Sequence, residues 1–175
     1  MKYNLLLTLT LFGFTLLNAQ EKITLKDGKQ YPASPVFEFF CNDYIYDNLL
    51  EIQFAKTEKG GIMKLAIDVS NNQLFIGGRV YILLSNGSFI YCSDKGNREY
   101  QNNQSIAYYN LSLSEMSLIK KFNIEDIRFR IMGTTSKFSS DIGYFTATNK
   151  KQLFDPFDKS SNKIDTKSIL TPLLL

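Results

Sequence analysis

Histidine is absent from all 175 residues, and so is tryptophan. Without histidine there is no imidazole general base, no Ser-His-Asp or Cys-His nucleophile system, and almost no route to an ordinary zinc site. Without tryptophan the best flat platform for sugar stacking or cation–π contacts is missing. The two cysteines are too few for a four-thiolate metal site within one chain. Charge of one sign is scarce as well: 20 Lys and Arg face 17 Asp and Glu, a net of +3. So small an excess gives no basis for a nucleic-acid partner. Gly77-Gly78-Arg79 lacks the glycine-rich phosphate-loop pattern, and no motif implies a cofactor.

The N-terminal segment is the clearest functional mark. Lys2 gives a basic start, residues 5–17 form an apolar run, and Asn18-Ala19 precedes the polar Gln20-Glu21-Lys22. That layout predicts a signal peptide over residues 1–19, cleaved after Ala19. The apolar run is shorter than the roughly 20 residues a membrane span needs. No cysteine follows it to carry a lipid, so no stable membrane anchor is expected after cleavage. The chain is expected to be exported, as a periplasmic or secreted protein. Residues 20–175 remain, an ordinary length for one domain, with 133–175 read as a looser C-terminal extension.

Most of the mature pattern has period two. Residues 23–25 and 30–31 flank an Asp27-Gly28 turn, which predicts a short hairpin. Leu50, Ile52 and Phe54 alternate with Glu51, Gln53 and Ala55, and Met63, Leu65, Ile67 and Val69 with Lys64, Ala66 and Asp68. Those two runs predict an antiparallel pair with one face in solvent. Residues 80–84 are apolar on both faces and read as a central strand. Asn86-Gly87 then predicts a two-residue type I′ turn, pairing Leu84 with Phe89, Ile82 with Tyr91, and Tyr81 with Cys92. Ser112 and Glu115 form a capping box, with Leu111 and Met116 as the flanking staple, so a helix is expected over 113–122. Ile127, Phe129 and Ile131 form a further strand with Arg128 and Arg130 outward. About eight strands and one short helix between late strands predict an all-β, mainly antiparallel β-sandwich; a closed β-barrel is the alternative.

Candidate sites are few. Asn42, Asp43, Asp47 and Glu51 supply oxygen ligands of the kind calcium takes, without the spacing of an EF-hand loop. Asp43, Tyr44, Tyr46 and Asp47 share one polar segment, compatible with recognising a polar ligand; Tyr108 and Tyr109 near the helix add to that idea. Cys41 and Cys92 either pair, as an even count in an exported protein invites, or serve as two small buried hydrophobes. No residue is assigned a catalytic role.

The segments AKTEKGGIMKLAI, FIGGRVYILLSNGSFIYCSDKG and IAYYNLSLSEMSLIKKFNIEDIRFRI resemble uncharacterised small exported β-sandwich proteins of Bacteroidetes-type Gram-negative bacteria. The similarity covers residues 37–132 and rests on structural motifs, so it implies fold and address and transfers no functional residue. The expected function is a non-enzymatic binding module of the cell envelope, with a protein or glycan partner. The alternatives are a carboxylate-dependent glycan hydrolase and a carrier of an apolar ligand.

Overall fold

One tight turn joins two of the longest strands. Glu58 and Lys59 alone join β4 (Leu49–Thr57) to β5 (Gly60–Asp68), with Thr57 opposite Gly60. Gly60 cannot carry a side chain: its φ is +141°, and an added Cβ would lie 2.0 Å from the Leu111 carbonyl oxygen. That closeness exists because β10 (Gln104–Ser112) pairs with β5 along its whole length, from Gln104 opposite Asp68 to Ser112 opposite Gly60.

The computed structural model describes residues 21–41, 43, 49–133, 142–150 and 163–174. Among them, β1 (Lys22–Thr24) and β2 (Gln30–Pro32) form a separate hairpin. All other strands belong to one ten-stranded antiparallel sheet that curls into a half-barrel. One wing runs β3 (Phe37–Phe40), β4, β5, β10, β9 (Arg98–Gln101). The other runs β8 (Phe89–Cys92), β7 (Val80–Leu84), β11 (Ile124–Gly133), β12 (Gly143–Thr148). Beside it, β6 (Leu74–Ile76) pairs with the end of β11. The expectation of a mostly antiparallel all-β chain holds. The described strands number twelve rather than eight, and they lie in one curled sheet plus a hairpin.

The wings meet in two different ways. On one side a single residue pair, Thr148 opposite Phe40, joins β12 to β3. On the other side side chains bridge what backbone pairing does not. Ser105 Oγ accepts from the Ile76 N–H at 2.8 Å, Tyr109 donates its hydroxyl to the Gly78 carbonyl, and Asp94 Oδ2 accepts from the Gly78 N–H at 2.9 Å. Arg98 pairs with Asp94 at 2.5 Å and lies 4.5 Å over the Phe75 ring. Satisfying these buried polar groups is what lets two sheet edges approach without a ladder.

Between the wings Phe39, Phe54, Phe129, Leu50, Ile52, Met63, Leu65 and Ile82 are fully buried. The capping box forms as expected: Ser112 and Glu115 exchange hydrogen bonds at the start of α1 (Leu113–Lys121). Met116 and Ile119 turn that helix onto the core. From the C-terminal part, β12 lies inside the sheet and α2 (Thr166–Leu174) adds Leu170 and Leu173 to the core. The helix contains Pro172 in its last turn. Asn149, only 1% exposed, holds its start by donating to the Ile124 and Ile164 carbonyls and accepting from the Ile164 N–H.

One expectation is corrected and one open alternative is narrowed. At Asn86-Gly87 the observed pairs are Leu83 with Phe89, Ile82 with Ile90, Tyr81 with Tyr91, and Val80 with Cys92, one residue away from the predicted register. The Gly87 N–H bonds the Leu84 carbonyl, and Gly87 takes φ +81°, so the loop is a turn closed by a left-handed glycine. Asn86 Oδ1 accepts from the Ser88 N–H, which stabilises the longer loop. Packing favours it as well: buried Ile82 faces buried Ile90, whereas the shorter turn would place Ile82 opposite exposed Tyr91. The open alternative concerns the cysteines, which fit the reading as two small buried hydrophobes. Cys41 and Cys92 are both buried and no disulfide joins them. Cys41 follows β3, Cys92 ends β8, and three strands lie between along the sheet. A disulfide needs Cα atoms within about 7 Å.

Candidate functional site

The outer surfaces of the two wings are built differently, and the difference locates the site. On β4, β5 and β10 the outward residues Ala55, Ile62, Ala66, Ile106 and Tyr108 lie under the β1–β2 hairpin, where they form a second small core with Ile23 and Ala33. Small side chains let the hairpin sit close. Gln53 fastens it, donating to the Ser34 carbonyl at 2.9 Å and to Glu21 at 2.8 Å.

No described element covers the corresponding face of β7, β8, β11 and β12. Alternation places Tyr81 and Leu83 outward from β7, Phe89 and Tyr91 from β8, Asp126, Arg128 and Arg130 from β11, and Tyr144 and Thr146 from β12. Phe89 is 64% exposed, Tyr91 63% and Tyr144 54%. Cross-strand register sets Tyr81 beside Arg128, and Arg128 beside Thr146. A shallow groove of ≈ 440 Å³ runs over this surface between Phe89 and Tyr144, with Asp126 on its floor. The Arg128 guanidinium lies 5.1 Å from the Tyr144 ring centre and that of Arg130 lies 5.4 Å from it. Neither guanidinium has an ion-pair partner among the described residues. Among the described residues Arg130 Nε is buried and without an acceptor. An unsatisfied buried donor costs about 1–3 kcal/mol, so this wing carries a cost the covered wing does not.

The residues singled out from sequence fall elsewhere. Asn42, Tyr44, Tyr46 and Asp47 lie outside the described residues. Asp43 is exposed, and Glu51 accepts a hydrogen bond from Gln104 at 2.9 Å. Among the described residues no three Cys, Asp or Glu side chains are grouped to hold a metal ion. Tyr108, beneath the hairpin, and Tyr109, in the main core, are both buried. Burial first, then the hydrogen bond and charge of Glu99, push the Tyr108 phenol up; burial and the Asp94 charge do the same for Tyr109. Both hydroxyls stay protonated donors in the scaffold. Asp94 is likewise structural. Burial works to raise its pKa, but the N–H groups of Gly96 and Gly78 together with Arg98 outweigh it and hold the carboxyl below its ordinary value. Burial, with a smaller part from Glu115, pushes the Cys92 thiol up to about 12, so it remains an unreactive thiol.

Sequence reading missed the outer-face residues, although a signal was present. Residues 80–84 are apolar on both faces, which suggested burial on both. The structure instead leaves one of those faces open, and an apolar face in solvent marks an interaction surface. No protein family, characterised protein or solved structure matches this chain. Among the described residues no helix is long and apolar enough to cross a membrane.

Proposed function

We propose that the chain is an exported, non-enzymatic binding module of the cell envelope, and that it engages its partner with the outer face of β7, β8, β11 and β12. The observation that carries this reading is the uncovered cluster of Phe89, Tyr91 and Tyr144 with Arg128 between them. Fixed strands hold these side chains, so binding needs little ordering of the backbone. The curled sheet serves as a sandwich-like scaffold, two wings facing across one core, with recognition on one outer surface.

The alternatives have less behind them. A carboxylate hydrolase needs two acids in one cleft, with environments that separate their pKa values. Asp94 is held by Gly78, Gly96 and Arg98, Glu51 by Gln104, and Glu99 by the Tyr108 hydroxyl, each at a different place. An apolar carrier needs interior space, and large side chains fill the space between the wings.

The test is retention of the exported protein, purified from its own cells, on isolated envelope material. Phe89→Ser and Tyr144→Ser should each lower retention several-fold with the thermal midpoint unchanged. Equal retention of both variants would remove this face from the function. The N-terminus of the same sample, read by mass spectrometry, should begin at Gln20.

A further inference from the structure

Resting on that reading, we propose that the partner of the outer face is an acidic polysaccharide, a chain of sugar rings bearing carboxylates. Three features of the face converge on this chemistry. The first is its charge. Arg128 and Arg130 stand over one ring, exposed Arg79 immediately precedes β7, and among the described residues Asp126 is the one acid lining the groove. A neutral or apolar ligand would strip water from the guanidiniums and give them no partner. A carboxylate meets a guanidinium in a two-pronged hydrogen bond, which is the contact these side chains are shaped to make.

The second feature is the row of side chains. The exposed rings stand on the face of a sheet, with Tyr91, Tyr81, Arg128 and Thr146 in one row across four strands. Three inter-strand steps of about 4.8 Å make that row roughly 14 Å long, enough for a short run of sugar rings. Aromatic side chains offer those rings an apolar surface and a polar rim together. The third feature is the pair of small polar groups at the groove, Asp126 and Thr146, which suit sugar hydroxyls as acceptor and donor. An acidic peptide would satisfy the charge but would leave the rings and the hydroxyl-binding groups without a role.

The experiment compares polygalacturonate with its methyl ester, which keeps the sugar backbone and removes the charge. Isothermal titration of the purified exported protein at low salt should show binding to polygalacturonate. The ester should bind about tenfold more weakly or worse, and added sodium chloride should weaken the acidic form progressively. Arg128→Gln should lose a similar factor at an unchanged thermal midpoint, while Tyr100→Ala on the distant β9 edge should bind as the parent does. Equal binding of ester and acid, or an unaffected Arg128→Gln, overturns the acidic character. Equally tight binding of polyglutamate overturns the glycan character. If no polysaccharide binds while envelope retention still depends on Tyr144, this inference fails and the binding-module reading stands. If retention is also independent of Tyr144, both fail.

Discussion

The two wings of the sheet share a core and differ on their backs. Behind β4, β5 and β10 lie Ala55, Ala66 and Ile62, and a hairpin closes over them. Behind β7, β8, β11 and β12 stand Phe89, Tyr91, Tyr144 and two arginines, with no described element over them. A half-covered sheet normally shows polar residues on its open side. Here the open side keeps large rings, and the side with more alternating polar text is the one that became covered. The two backs therefore divide the work: one adds stability, and the other holds recognition chemistry at some cost in stability.

The sharpest way to break that division is to place the same charge on each back. Ala66→Glu would bury a carboxylate beneath the hairpin and should cost about 3 kcal/mol or more. Thr146→Glu, among arginines in contact with solvent, should stay within about 0.5 kcal/mol. Urea midpoints measure both, and equal losses would end the distinction. Next in size, Ile23→Ala removes the hairpin's buried anchor and should cost about 2–4 kcal/mol. Amide exchange at Ala33, whose N–H bonds the Glu21 carbonyl, should accelerate before the rest of the sheet does.

A smaller effect concerns the seam between the wings. The Asp94 carboxyl lies below its ordinary pKa, so it stabilises the fold at pH values above the unfolded value near 4, and that contribution is lost as pH falls through the lower, folded value. Asp94→Asn should therefore be less stable than the parent at pH 7, with the gap narrowing in acid. A gap that is constant with pH would mean that the carboxylate's charge does not hold the seam. Smallest of all, Tyr144→Ala should change the urea midpoint by about 0.5 kcal/mol or less while lowering envelope retention several-fold. A large stability loss there would make Tyr144 part of the scaffold.

Local chemistry was legible wherever a few neighbouring residues decide the outcome. Ser112 and Glu115 specified the helix start, and the alternations of β4, β5 and β11 placed their inward residues correctly. The Asn86-Gly87 register slipped by one, because Asn86 bonding the Ser88 N–H supports a longer loop that the dipeptide alone does not reveal. What covers a strand's back is a property of distant segments. Nothing within residues 50–68 announces that residues 22–32 will lie over them, and nothing within 80–84 announces that one of its faces stays bare. The cysteine pairing stayed open in the sequence for the same reason: local residues could not say how many strands lie between Cys41 and Cys92. The candidate oxygen cluster around Asp43 was chosen by residue type alone, and of its described members Glu51 is engaged by Gln104.

The single pair that joins β12 to β3 also governs when the molecule can be finished. Phe40 and Thr148 are more than 100 residues apart in the chain, so their meeting is among the slowest contacts to form. Until β12 arrives, Phe40 at the end of β3 has no partner on that side, and the strand has no proline or lysine to guard its edge. The period between folding of the first wing and docking of the second is therefore when two copies of this chain are most prone to pair wrongly with each other.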